Sequence, residues 1–206
     1  MPRPESICPA GIAQEIPLNS TYRPREDSFL LLKAIQNNSL SGLQILDIGT
    51  GSGLLAIECA KRGAIVTAAD VDEDAVRALR LLVEQQGLEI KITQSDLFSS
   101  ISERYDLIVF NPPYLPDSRD FSDTAIDGGR TGREVIERFL RLLPEHLEKK
   151  GRCLLLVSSL NSPDKLIAEF PNLSFKQVAA ENVFFEKLLV FEITVQSGLE
   201  TGSSPQ

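Results

Sequence analysis

Leu43-Gln44-Ile45-Leu46-Asp47-Ile48-Gly49-Thr50-Gly51-Ser52-Gly53 is an apolar run closed by an acid and three alternating glycines. The apolar part predicts a strand, and the glycines predict a tight turn into a helix over 54–62 that Gly63 stops. In an α/β sheet this first strand-to-helix turn is where nucleotides bind. The spacing excludes a dinucleotide fingerprint, because G-x-G-x-x-G from Gly49 meets Leu54 and from Gly51 meets Ala56. Glycine at 49, 51 and 53 lets backbone approach a ligand closely, and Asp47 offers a negative charge suited to an ammonium group, directly or through water. A turn that serves only helix–strand packing is the plainer alternative.

Beyond this turn, strands and helices alternate. Residues 64–70 form a second strand ending in Asp70-Val71, and Asp72 caps a helix with Val76, Leu79 and Val83 on one face before Gly87. Residues 90–93 form a short third strand, followed by Ser95-Asp96-Leu97-Phe98. The fourth strand, 105–110, delivers Asn111-Pro112-Pro113-Tyr114. A polar loop over 115–132 precedes a helix with Val135, Ile136, Phe139, Leu140 and Leu143 inward, which Pro144 should bend or restart. The fifth strand is 153–157, apolar as a central strand is. Ser162-Pro163-Asp164 starts a short helix, and 175–183 and 187–195 form a closing hairpin. Ahead of the glycine turn, Pro24, Glu26 and Asp27 open a helix that buries Phe29, Leu30, Leu31, Leu32 and Ile35.

The expected architecture is therefore α/β: a mostly parallel seven-stranded sheet, helices on both faces, and a hairpin adding one antiparallel strand. Residues 1–20 read as an arm across the domain, 21–195 as one domain, and 196–206 as a disordered Gly/Ser-rich tail. The 206 residues carry a net charge of −8, so no diffuse basic surface would draw a nucleic-acid backbone. Cys8, Cys59 and Cys153 are scattered and odd in number, which fits neither a disulfide framework nor a metal cluster and points to a reducing cytoplasm. Neither a signal peptide nor a membrane-spanning stretch is visible.

Four strand ends then share one sheet edge: the glycine loop, Asp70, Asp96 and Asn111. A carboxylate at Asp70 suits a pair of ribose hydroxyls, and Asp96-Leu97 suits an adenine amino group and ring. Asn111-Pro112-Pro113-Tyr114 has a different character. Two prolines force a stiff exit from the sheet and hold an amide side chain and an aromatic ring at fixed positions. Two oxygen acceptors and a ring make a clamp for a planar NH2 group. His146, the sole histidine, lies on a helix away from the strand ends and reads as a surface residue.

Asp47-x-Gly49-x-Gly51-x-Gly53 resembles the S-adenosylmethionine loop of class I methyltransferases. Together with Asn111-Pro112-Pro113-Tyr114 it resembles the HemK/PrmC family of protein glutamine N5-methyltransferases. Tyr22-Arg23-Pro24-Arg25-Glu26-Asp27-Ser28-Phe29-Leu30-Leu31 is similar to the signature of that family's eukaryotic–archaeal branch, and Gly128-Gly129-Arg130-x-Gly132-Arg133 to another family segment. The resemblance implies a Rossmann-like class I methyltransferase fold, S-adenosyl-L-methionine as donor, and the glutamine of a release factor's Gly-Gly-Gln loop as acceptor. It implies cofactor contacts from Ser28, Asp47, Gly49, Thr50, Gly51, Asp70, Val71, Asp96, Leu97 and Asn111. Catalysis would rest on Asn111, Pro112 and Tyr114, with Pro113 completing the acceptor clamp and no metal in the site. It also implies a small zinc-containing activator subunit that adds a strand at the sheet edge, here the third strand. A nucleobase amine would fit the same clamp, and a lysine or a non-catalytic scaffold role are further alternatives.

Overall fold

The computed structural model describes residues 26–36, 39–113, 132–183 and 186–196. The elements are α1 (Glu26–Gln36), β1 (Gln44–Ile48), α2 (Leu54–Lys61), β2 (Ile65–Asp70), α3 (Glu73–Gln85), β3 (Ile90–Gln94) and β4 (Tyr105–Phe110). They continue with α4 (Glu134–His146), β5 (Leu147–Ser158), a 3-10 turn (Ser159–Asn161), α5 (Pro163–Glu169), β6 (Leu173–Val183) and β7 (Glu186–Val195). The expected arm, most of the expected tail, Tyr114 and nearly all of the 115–132 loop lie outside the described residues.

The seven strands run in the order β3-β2-β1-β4-β5-β7-β6. From β3 to β5 every neighbour is parallel, and β7 alone runs the other way, paired with both β5 and β6. The chain winds outward from β1 to β3 and then returns to β4 on the other side of β1. That reversal opens a crevice at the carboxyl ends of β1 and β4, where such sheets bind ligands.

Alternation along the strands divides the core into two. Ile45, Val66, Leu107, Val109 and Leu154 point to α1, α2 and α3, while Leu46, Ile108, Phe110 and Leu155 point to α4 and α5. Phe139 of α4 anchors the second face, 4.6 Å from the Phe110 ring and 5.4 Å from Phe98.

The strands do not stop level. Ile48 and Leu155 both pair with Phe110, yet β5 continues to Ser158. At about 3.3 Å per residue those three residues carry β5 roughly 10 Å beyond the end of β4. The lateral edges differ too. β6 carries a bulge between Gln177 and Ala179, a feature that discourages further pairing, whereas β3 keeps an unbroken register.

Three expectations are corrected. The fifth strand begins at Leu147 rather than Cys153, because Leu147 pairs with Tyr105 and a bulge takes up Glu148-Lys149-Lys150-Gly151 before Arg152 meets Leu107. A Cβ at Gly151 would lie 2.6 Å from the Tyr105 carbonyl, so the chains pass too closely there for a side chain. Helix α4 runs through Pro144 and ends two residues later, without a restart. His146 is buried, stacked on Phe98 at 4.1 Å with its Nδ1 3.2 Å from the Glu103 carbonyl. The helix delivers it to the core face next to Phe139, so it is a packing residue.

Candidate active site at the carboxyl edge of the sheet

The glycine loop is held from both sides by carboxylates. Asp47, buried at the end of β1, accepts through Oδ2 from the Thr50 hydroxyl at 2.7 Å and the Ala56 amide at 3.1 Å. Burial pushes its carboxyl up to about 7, against the pull of those two donors, and the nearby Asp70 charge adds to the rise. Asp70, at the end of β2, accepts from the Gly51 amide at 2.8 Å and from the Asp72 amide at 3.0 Å. The Thr50 amide completes the attachment on the Ala69 carbonyl at 3.0 Å. The Thr50 side chain is thus committed to Asp47, and Gly49, Gly51 and Gly53 present bare backbone along the loop.

Gly49 is left-handed (φ +63°), and a Cβ there would sit 3.4 Å from the Phe110 ring and 3.8 Å from the Asn111 carbonyl. The bare backbone lets the end of β1 lie against the end of β4. Gly53 serves a different contact, since its Cβ would come within 2.2 Å of Leu79 on α3. Helix packing, the plainer reading of the loop, therefore accounts for Gly53 and not for Gly49.

Past Asp70, Val71 is 64 % exposed, with its carbonyl accepting from the Gln94 side chain at 3.0 Å. Leu97 adopts φ +51°, a strained value for a non-glycine residue, with its side chain buried. Serines hold that conformation. The Ser95 hydroxyl donates to the Leu97 carbonyl at 2.8 Å, and the Asp96 amide donates to Ser99 Oγ at 3.1 Å. Asp96 itself is half-exposed and takes a 2.6 Å bond from Arg138 of α4. The sequence offers no local signal for Arg138, which stands 42 positions away.

Asn111 leaves β4 beside Gly49. Its side-chain oxygen is buried and has no hydrogen-bond partner among the described residues. An orphan acceptor costs on the order of 1–3 kcal/mol in a folded protein, which makes this oxygen, at a strand end beside the Gly49 turn, a candidate to receive a donor from a ligand. Pro112 is buried and Pro113 half-buried behind it. Ser28 lies on α1 with both its amide and its hydroxyl on the Asp27 carboxylate, and both residues are buried. No group of His, Cys, Asp and Glu among the described residues is arranged to hold a metal ion.

A row of acceptors at Asp70 and Asp96, an exposed apolar face at Val71, a bare backbone cradle and one unsatisfied oxygen together fit S-adenosyl-L-methionine.

Comparison with known proteins agrees. Residues 20–185 match the family model of the methyltransferase small domain. A Methanocaldococcus jannaschii protein, provisionally named a protein N5-glutamine methyltransferase, is 38% identical over 177 residues, covering 82% of this chain and 89% of its own. Human methyltransferase HEMK2 is 32% identical over 164 residues, covering 72% of this chain and 77% of its own. The solved E. cuniculi Mtq2-Trm112 complex, described as methylating the eRF1 translation termination factor, superimposes with a TM-score of 0.69. It is 29% identical and covers 85% of this chain and 98% of that one. The chain belongs to the methyltransferase small-domain family and, within it, to the protein glutamine N5-methyltransferases, enzymes that use S-adenosyl-L-methionine.

Proposed function

We propose that this chain methylates the side-chain amide nitrogen of the glutamine in a Gly-Gly-Gln loop of a peptide-chain release factor. The observation that carries the reading is the buried, unpartnered Asn111 oxygen beside the Gly49 cradle. A carboxamide nitrogen is a poor nucleophile, because its lone pair is delocalised into the carbonyl. Asn111 Oδ1 accepts one of its N–H bonds and the Pro112 carbonyl the other, which raises electron density on nitrogen and aims it. Tyr114, next in sequence, packs on the amide plane, and Pro113 keeps the segment stiff. When bound, the cofactor supplies a methyl on a sulfonium, already attached to a good leaving group. Positioning and charge complementarity then provide most of the acceleration, and the proton that the methylated nitrogen gives up, strongly acidic at that point, leaves along its hydrogen bond to water without a dedicated side-chain base.

On the donor side, Asp70 takes the ribose hydroxyls with the lone pairs its two amide donors leave open. Val71 and Leu97 flank the adenine, and Asp96 accepts from its amino group. Gly49, Thr50 and Gly51 line the methionine part through backbone, and Asp47 supplies the charge behind them. Ser28 joins this set through the likeness of its segment to the family.

The E. cuniculi relative is solved with Trm112. We extend this to a small zinc-containing activator here, pairing with β3, whose unbulged register suits strand addition. Among the described residues no helix is long and apolar enough to cross a membrane, and a cytoplasmic site of action suits the acceptor.

The test is incubation with isotopically labelled S-adenosyl-L-methionine and candidate acceptors, followed by mass-spectrometric location of the methyl group. Methyl on the Gly-Gly-Gln glutamine is the expected result. Methyl on a nucleobase amine, with the glutamine unmodified, overturns the reading.

A further inference from the structure

Donor and acceptor need opposite approaches to Asn111. The donor groups, Asp70, Val71 and Asp96, lie on the β1–β2–β3 side of it, so the acceptor arrives from the side of β5. There the sheet edge is stepped: β5 stands three residues proud of β4, ends at Ser158 and turns at once through Ser159–Asn161.

This turn is built from buried polar groups. Ser158 and Asn161 are both wholly buried. The Ser158 amide donates to Asn161 Oδ1 at 2.9 Å, and the Leu160 amide donates to Ser158 Oγ at 3.1 Å. Asn161 Nδ2 donates to the Gly132 carbonyl at 3.0 Å, which fixes the entry to α4. The Ser158 hydroxyl donates to Glu186, and the Lys187 amide donates to Ser159 Oγ at 3.0 Å, so the start of β7 is tied in as well. What this framework holds outward is Leu160, a leucine 47 % exposed. A single exposed leucine is ordinary on a protein surface. One fixed at both flanks by buried amide and hydroxyl groups, on a strand that reaches three residues past the end of the neighbouring β4, is not. Rigid apolar groups at the margin of a site bind polypeptide with little loss of conformational entropy.

We propose that the Ser158–Asn161 turn is the acceptor-side wall of the site. Leu160 touches the polypeptide that flanks the target glutamine, and Asn161 is the positioning residue that holds Leu160 and Gly132 in place. The assignment rests on the reading of the acceptor given above and names the side and the residue that meet it.

The experiment measures steady-state methylation of a release factor bearing a Gly-Gly-Gln loop by wild type, Leu160→Asp, Leu160→Met and Asn161→Ala. Leu160→Asp is expected to raise KM for the release factor on the order of tenfold. Its kcat and its Kd for the cofactor should stay within about twofold of wild type, and Leu160→Met should restore KM. Asn161→Ala should raise KM in the same way, but it removes a buried amide and endangers the fold, so the exposed position decides. A Leu160→Asp enzyme with unchanged KM overturns the wall and leaves the acceptor reading standing. A wild-type enzyme that transfers no methyl to the release factor overturns both.

Discussion

The Asp70 carboxylate accepts a 2.8 Å hydrogen bond from the Gly51 amide, joining the end of β2 to the glycine loop of β1. One side chain therefore shapes the loop and faces the crevice. Asp70→Ala should weaken cofactor binding by about 10- to 100-fold, the range for losing charged hydrogen bonds, while circular dichroism stays native. Calorimetric titration measures it, and unchanged affinity would remove Asp70 from the cofactor site.

Asn111→Ala should still bind the cofactor, somewhat more weakly for the contact the resemblance implies, and lower kcat on the order of 100-fold or more, as removal of one preorganised hydrogen-bond partner does. The variant gives up an acceptor that is unpaired among the described residues of the free protein, so its thermal stability should hold or rise slightly. Turnover near the wild-type rate would sink the clamp.

Burial raises the Asp47 carboxyl to about 7. A carboxyl raised on folding stabilises the fold fully below its ordinary value of 3.8, and that contribution is lost as pH rises through about 7. An ammonium group nearby favours the ionised form, so cofactor binding should tighten as pH rises. The dissociation constant should fall by up to about tenfold between about pH 6 and about pH 8 and then level. In Asp47→Asn the profile should be flat over that window and the affinity lower. A wild-type profile equally flat would show that Asp47 does not sense the ligand.

Gly53 combines φ +77° with a Cβ position 2.2 Å from Leu79. Gly53→Ala should cost about 1–2 kcal/mol from the left-handed backbone alone, with further loss as Leu79 gives way. Thermal unfolding checks this, and a melting temperature equal to that of wild type would contradict the packing.

The chain announces its layers plainly, because parallel central strands are apolar runs and their helices carry a single apolar face. The strand ends at Asp70 and Phe110 lie where residue patterns locate them, while β1 and β3 each run one residue further than expected, to Ile48 and Gln94. Contacts made at long range are hidden from sequence. Glu148-Lys149-Lys150 lies outside the fifth strand expected over 153–157, and pairing of Leu147 with Tyr105 draws it into β5. His146 reads as a surface residue until Phe98, far off in sequence, supplies a ring for it to stack on. The Ser162-Pro163 signal locates the start of α5, yet Ser162 sits at φ +51° with no side-chain cap, because the 3-10 turn before it fixes its backbone. The Asn111 segment is legible as a clamp, while its missing hydrogen bond is visible only in three dimensions.

Among the described residues, the last strand in sequence is not the last strand of the sheet. β7 lies between β5 and β6, pairing with β5 from Cys153 to Ser158 and with β6 from Leu173 onward. A polypeptide still short of Glu186 therefore has two open strand edges that β7 fills in the finished protein, and open edges recruit other chains. The tie from Ser158 to Glu186 is made at the same late moment. The acceptor side is thus complete only once β7 is in place, so a copy cut short before Glu186 is expected to aggregate rather than to work in part.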